Sequence, residues 1–207
     1  MSIMDRIKLL EQLKSEVVNL KKSPLYKERI KNKFFPVIGE GSHNAKIMFI
    51  GEAPGRNEAK TGKPFCGASG KILDELLVSI GISRKDVYIT NIVKDRPPSN
   101  RDPLPAEIKI YGPYLDRQIE IIRPKIIATL GRFSMDYIMK KFGLAVPAGR
   151  QENQLKPIGQ MHGKVFEAKT NYGKIKIVPL YHPAVVIYNR TTKAVLVKDF
   201  QILKQFK

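Results

Sequence analysis

One regularity limits what this chain can fold into more than any other: short apolar runs ending in turns alternate with stretches of helical spacing. Residues 47–50, 87–91, 126–130 and 174–179 read as strands, and residues 69–80, 107–122, 134–142 and 191–206 as the helices that follow them. Strands that alternate with helices at this spacing pair in parallel and are covered on both faces. We therefore expect a three-layer α/β/α sandwich with a central, mostly parallel four-stranded sheet, formed by residues 1–207 as one domain. Ahead of it, residues 1–20 place Ile7, Leu10, Leu13 and Val17 on one face of an amphipathic helix. An irregular crossing over residues 19–38 follows. Residues 143–159, rich in Pro, Gly and Gln, read as a surface loop, and Val165-Phe166 with Tyr172-Gly173 as a short hairpin.

The first strand stops abruptly at Gly51-Glu52-Ala53-Pro54-Gly55. In open α/β sheets, ligands bind beyond the carboxyl ends of strands. This loop offers a carboxylate, a stiff proline and a permissive glycine, so its backbone can approach a flat ligand closely. Glu58, then Thr61-Gly-Lys-Pro-Phe65, then Gly67-Ala-Ser-Gly70 at the start of a helix, extend the pattern.

Lys and Arg outnumber Asp and Glu by 37 to 19, a formal charge of +18. Such a field attracts polyanions, although a lysine-rich solvated surface carries the same count. The single cysteine, Cys66, excludes an intrachain disulfide and a multi-thiolate metal site within one chain. Flanked by Phe65 and Gly67, it is read as a packing residue. No run is apolar and long enough to span a bilayer, and no charged-then-apolar leader opens the chain, so no membrane partner is expected.

On these motifs the chain resembles the family 4 uracil-DNA glycosylases: Gly51-Glu-Ala-Pro-Gly55, Glu58, Gly62-Lys-Pro-Phe65, Asn91-Ile-Val-Lys-Asp-Arg-Pro-Pro-Ser-Asn-Arg101, residues 122–131, and Tyr181-His-Pro183. The resemblance implies a monofunctional enzyme that flips uracil from DNA and hydrolyses its N-glycosidic bond, leaving an abasic site. No Schiff-base lysine stands in the pocket motifs, so no lyase step is expected. It further implies DNA containing uracil as the partner, a monomer, and a cytoplasmic, nucleoid-associated location; a sliding-clamp contact is left open. The alternatives are a DNA-binding relative without turnover and a glycosylase with relaxed choice among deaminated bases.

Bond cleavage leaves an anion on the base, so the site needs donors where that charge grows and a surface to hold the base flat. Asn91, with a donor and an acceptor on one amide, suits the uracil edge, although a strand-end Asn also caps turns. His182 is the candidate donor to the developing oxyanion, and Phe65 the stacking platform, with a core aromatic as its alternative. Glu52 supplies a charge; Ala53 and Pro54 bring backbone to a uracil carbonyl; Glu58 is expected to gate the pocket. Ala53 stands where related family 1 enzymes carry a water-activating aspartate. Lys94, Arg96, Asn100 and Arg101 around the Pro-Pro turn, and Arg190 after His182, are candidate DNA contacts. Residues 184–190 fall where the family has its minor-groove loop.

The departure from the family concerns its iron–sulfur cluster. The four ligand positions implied by the resemblance are Leu20, Ser23, Asp95 and Tyr111 here, and none is a thiolate. No metal or cofactor is expected. In its place we expect a repacked plug, with Leu20 and Tyr111 burying apolar surface and Ser23, Lys21 or Lys22 partnering Asp95.

Overall fold

The computed structural model describes residues 1–144 and 157–206, so residues 145–156 of the expected surface loop lie outside it. In chain order, α1 (Ile3–Val18) and α2 (Tyr26–Lys31) precede β1 (Glu40–Gly41) and β2 (Ile47–Gly51). Next come α3 (Arg56–Thr61), α4 (Ala68–Ser79), β3 (Tyr88–Asn91), α5 (Pro105–Ile122), β4 (Ile126–Leu130) and α6 (Arg132–Lys141). The chain closes with α7 (Ile158–Met161), β5 (Phe166–Thr170), β6 (Gly173–Leu180), α8 (Val185–Tyr188) and α9 (Thr192–Lys204).

The sheet has six strands in the order β1-β3-β2-β4-β6-β5. The four expected strands form its parallel centre, β3-β2-β4-β6, and two antiparallel edge strands extend it. β1 is only two residues long and carries no apolar run, so no periodicity announces it. β5 pairs with β6 as the expected hairpin, burying Ala168 between exposed Glu167 and Lys169.

Every residue of β2 is buried, as a strand covered on both faces requires. Met48 and Ile50 face a core shared with Leu13 of α1, Leu115 and Ile119 of α5, and Ile138 of α6. Ile47 and Phe49 face the other layer, with Leu73 and Leu77 of α4 and Phe200 of α9. The Phe49 and Phe200 rings stack at 5.8 Å, a geometry that contributes about 0.5–1.5 kcal/mol beyond its buried area. The result is the three-layer α/β/α sandwich. α1 is fixed at its start by a capping box, Ser2 accepting the Asp5 N–H at 3.1 Å and Asp5 accepting that of Ser2 at 2.9 Å.

The strand order fixes where a ligand can sit. β2 lies between the two strands that follow it, so the chain leaves β2 in one direction through α4 and returns past it through α5. The crevice at that reversal opens beyond the carboxyl ends of the parallel strands. Gly51 pairs with Asn91 and Leu130 with Leu180, which brings the residues after all four strands to one edge.

Candidate active site

A cavity of about 300 Å³ occupies this crevice. Glu52 and Ala53 line it from the loop after β2, Glu58 from the first turn of α3, Phe65 from the connection to α4, Asn91 from β3, and His182 from the segment after β6. Asn100 also lines it, as do Gly55, Ala184 and Ser69, the last from the Gly67-Ala-Ser-Gly70 motif at the start of α4 but with no role assigned to it from sequence. Pro54 is buried and does not line the cavity.

Phe65 is seated by glycines. A Cβ on Gly51 would lie 2.8 Å from Phe65 Cζ and overlap Asn91 Oδ1, and a Cβ on Gly70 would overlap the Phe65 carbonyl. Phe65 itself has φ of 46°, the left-handed region that a bulky side chain occupies only when its surroundings enforce it. Its ring is 5.5 Å from that of His182, tilted by 30°. Glu58 joins the same assembly: one carboxylate oxygen accepts the N–H groups of Cys66 and Gly67, each at 3.0 Å, tying α3 to the start of α4. Cys66 is exposed rather than packed, because its backbone, not its side chain, is what Glu58 holds.

His182 Nδ1 accepts the Ala184 N–H at 3.1 Å. In the neutral ring this leaves Nε2 as the donor. Burial pushes the imidazole down to about 4, so it is neutral at physiological pH, with Glu58 as a smaller opposing influence. Glu52 is driven the other way. Burial, then the Asp102 charge, raise its carboxyl to about 7, while Arg132 opposes them. Arg132 Nη2 donates to Asp102 at 2.8 Å across the rim. Neither Asp102 nor Arg132 is part of the motifs read from sequence. Arg132 directly succeeds the turn that ends β4, so its nearness to the carboxyl end of a parallel strand is the sequence signal that points to it.

The Pro-Pro turn is a rigid rim. Ser99 and Asn100 both hold φ of 55°, and Arg96 Nε donates to Asn100 Oδ1 at 2.7 Å while its guanidinium lies 5.7 Å over the Phe34 ring. Arg101 grips the buried Glu107 of α5 through both terminal nitrogens, at 2.9 and 2.6 Å, so its charge is engaged within the protein. Lys94 does not fit the expected phosphate contact. Its side chain is fully buried and donates to Thr90 Oγ1 at 2.8 Å, to the Asn91 carbonyl at 2.6 Å and to Gln118 Oε1. Burial alone pushes this ammonium well below the ordinary lysine range. Arg190 is exposed beyond α8, whose Ile187 and Tyr188 also face outward.

The four positions that the family pattern assigns to cluster ligands converge on one buried site. Ser23 Oγ and Tyr111 Oη are 2.7 Å apart, and Tyr111 donates to Asp95 Oδ2 at 2.6 Å. Asp95 Oδ1 accepts from Arg29 at 3.3 Å, and Leu20 is buried beside them. Arg29 further donates to the carbonyls of Val17 and Val18 at the end of α1. Tyr111 thus stands between Ser23 and Asp95, and Arg29, not the exposed Lys21 or Lys22, is the cation. Carrying no thiolate and hydrogen-bonded to one another, these residues do not fit an iron–sulfur cluster. Among the described residues, no group of three or more His, Cys, Asp or Glu is placed to hold a metal ion.

Fold and site together define an α/β protein of the switch-point kind, with a polar cavity at the carboxyl edge of its sheet on a strongly basic chain. The chain belongs to the uracil DNA glycosylase superfamily, whose family model matches residues 38–204. It is 47% identical over 197 residues to a type-4 uracil-DNA glycosylase of Saccharolobus solfataricus, covering 95% of this chain and 85% of the relative. Over 197 residues it is 46% identical to one of Sulfurisphaera tokodaii, with 95% and 84% covered. To one of Archaeoglobus fulgidus it is 42% identical over 192 residues, covering 93% and 90%.

Proposed function

We propose that this chain is a monofunctional uracil-DNA glycosylase acting in base excision repair. The observation that carries the reading is the state of His182: a neutral ring on the cavity wall whose Nδ1 is occupied by the Ala184 N–H, leaving Nε2–H as its donor. Uracil extruded from the duplex stacks on Phe65 and presents its amide edge to Asn91. The loop backbone at Ala53 meets a carbonyl, while Pro54, buried and without a backbone N–H, stiffens the turn behind it. As the bond between N1 and C1′ breaks, electrons collect on the base, and the Nε2–H of His182 donates to the carbonyl oxygen that takes up the charge. The sugar becomes an oxocarbenium-like cation, stabilised by ionised Glu52 beside it. Water adds at C1′ and loses a proton, giving an abasic site and free uracil. Glu58 shapes the pocket by holding the backbone that carries Phe65.

As proposed, the reaction asks for no residue of a second copy, and the enzyme is taken to act as a monomer. Its +18 charge favours residence on nucleoid DNA, with Arg96, Asn100 and Arg190 facing the strand. It needs no cluster, because Ser23, Asp95, Tyr111 and Arg29 bind α1, the Pro-Pro turn and α5 to one another without metal. A labelled oligonucleotide with a single uracil, treated with alkali after incubation, tests the reading. Strand breakage at uracil is expected. An intact strand that is still bound would identify a DNA-binding relative, and breakage at hypoxanthine or xanthine at a similar rate would identify a broader glycosylase.

A further inference from the structure

Lys94 has been removed from the DNA face, and the site described above gives it no task. A buried ammonium without a carboxylate partner is costly and needs a reason. Three groups meet it: Thr90 Oγ1, the Asn91 carbonyl and Gln118 Oε1. Two of them are acceptors by their chemistry or their other bonds. The Thr90 hydroxyl lies within reach of the Ile38 carbonyl at 2.6 Å and of Gln118 Oε1 at 3.2 Å as well as of the amine. Gln118 turns its Nε2 to Ile38 O at 2.8 Å and Tyr88 Oη at 3.1 Å, which leaves Oε1 for Lys94. The Asn91 carbonyl can only accept. Lys94 Nζ therefore donates to the Asn91 carbonyl and to Gln118 Oε1 and shares a hydrogen bond with the Thr90 hydroxyl, a set of partners that holds the amine in place although burial disfavours its charged form. Among the described residues no carboxylate pairs with it; the neighbouring Asp95 is engaged by Arg29 and Tyr111.

The amine is bonded to the main chain of Asn91, which lines the cavity from β3. Asn91 is otherwise held by its pairing with Gly51, by the close fit of its side chain over that glycine and by a longer contact of its carbonyl with Thr90 Oγ1. We propose that Lys94 is a positioning residue for the glycosylase reaction: its amine anchors Asn91 through the main-chain carbonyl and so holds the side-chain amide at the cavity wall in the orientation the base needs. The inference rests on the glycosylase reading and sharpens it.

The experiment is a double-mutant cycle under single-turnover conditions at saturating uracil-containing DNA, with Lys94→Met, Asn91→Ala and the pair. Lys94→Met is expected to slow cleavage by about 10–10²-fold with half-saturating DNA shifted less than about threefold, and to add little once Asn91 is already alanine. Losses that multiply in the pair, or a Lys94→Met variant as fast as the parent, would overturn the proposal. Gln118→Glu, which gives Lys94 Nζ a carboxylate partner in place of the amide acceptor and so draws it away from the Asn91 carbonyl, is the second arm and decides the matter if Lys94→Met does not fold. It should slow cleavage while melting as a folded protein. If neither variant folds, Lys94 serves the fold and the proposal falls. Activity of the parent on uracil is measured beside them, so failure of the glycosylase reading is seen separately.

Discussion

The molecule contains two buried polar constellations that resemble each other in composition and differ in how their groups are used. Around Tyr111, Ser23, Asp95 and Arg29 the polar groups are hydrogen-bonded to one another or to the carbonyls that end α1. Around the cavity, Asn91 is 2% exposed, yet among the described residues its side-chain amide makes no hydrogen bond. His182 keeps Nε2 free while Nδ1 is occupied, and Glu52 is pushed up to about 7 by burial and by a like charge. The groups of the second set open on the cavity, where a ligand or water can meet them, unlike Arg6 Nε, Thr129 Oγ1 and Tyr172 Oη, which are buried without a partner elsewhere. Of the two constellations, one spends its polar groups on holding the structure together and the other presents them to the cavity.

The sharpest way to break this contrast is to empty the plug. Tyr111→Ala removes a fully buried ring and both hydroxyl contacts, and is expected to cost about 3–5 kcal/mol of unfolding free energy, as other large-to-alanine changes do. The folded fraction should still excise uracil at close to the parent rate. Tyr111→Phe, which keeps the ring, should lose about 1–3 kcal/mol. Denaturant melts with active-site titration check both, and a parent-like melt for Tyr111→Ala would remove the plug from the account.

On the other side, Asn91→Ala and His182→Ala should each slow cleavage by about 10²–10³-fold, the scale for one oriented donor at a developing anion. Melting should change far less than for Tyr111→Ala, and duplex binding should hardly change. Parent-like rates in both variants would mean the chemistry is elsewhere.

Glu52 ties the contrast to pH. Its folded carboxyl titrates near 7 against an ordinary 4.5, so the folded state holds this proton more tightly than the unfolded chain. Its contribution to stability therefore falls as pH rises from about 4.5 to about 7. If the anion supports the oxocarbenium, the rate rises over the same window, while His182 stays neutral above about 4. Glu52→Gln should be slower and lose the rising limb near pH 7. A limb that persists in that variant belongs to another group.

The smallest expected effects concern charge. Arg190→Ala should reduce the slope of log affinity against log salt by about one unit. Arg101→Ala, whose guanidinium is held by Glu107, should leave the slope near the parent's and loosen the Pro-Pro turn instead. Equal slopes for Arg190→Ala and the parent would take residue 190 off the phosphate path.

Much of this was legible in the chain. β4 spans the expected residues, and β2, β3, β6, α4 and α5 begin and end within two residues of the sequence reading, because apolar runs and helical spacing are local signals. α2 and α3 escaped because six residues are too few to show a period. Lys94 was misread for a different reason. A lysine beside a Pro-Pro turn looks solvated, and its burial depends on Gln118, 24 residues away on α5. Arg29 was missed likewise, since nothing near it in sequence points to Asp95, 66 residues on. The positions of Asn91, Phe65 and His182 were legible because each sits at or just after an element end that topology gathers at one edge. Asp102 was not, because it shapes Glu52 by charge across the rim, and Arg132 left no signal beyond its place directly after β4.

The central claim is that the plug does by hydrogen bonding what a cluster would do by coordination, leaving the pocket free to act. The most direct measurement is uracil excision by anaerobically purified protein whose iron content and absorbance near 400 nm are determined on the same sample. We predict a colourless, iron-free preparation that converts single-uracil DNA fully to abasic product. Stoichiometric iron, or activity that rises and falls with iron content across preparations, would contradict it.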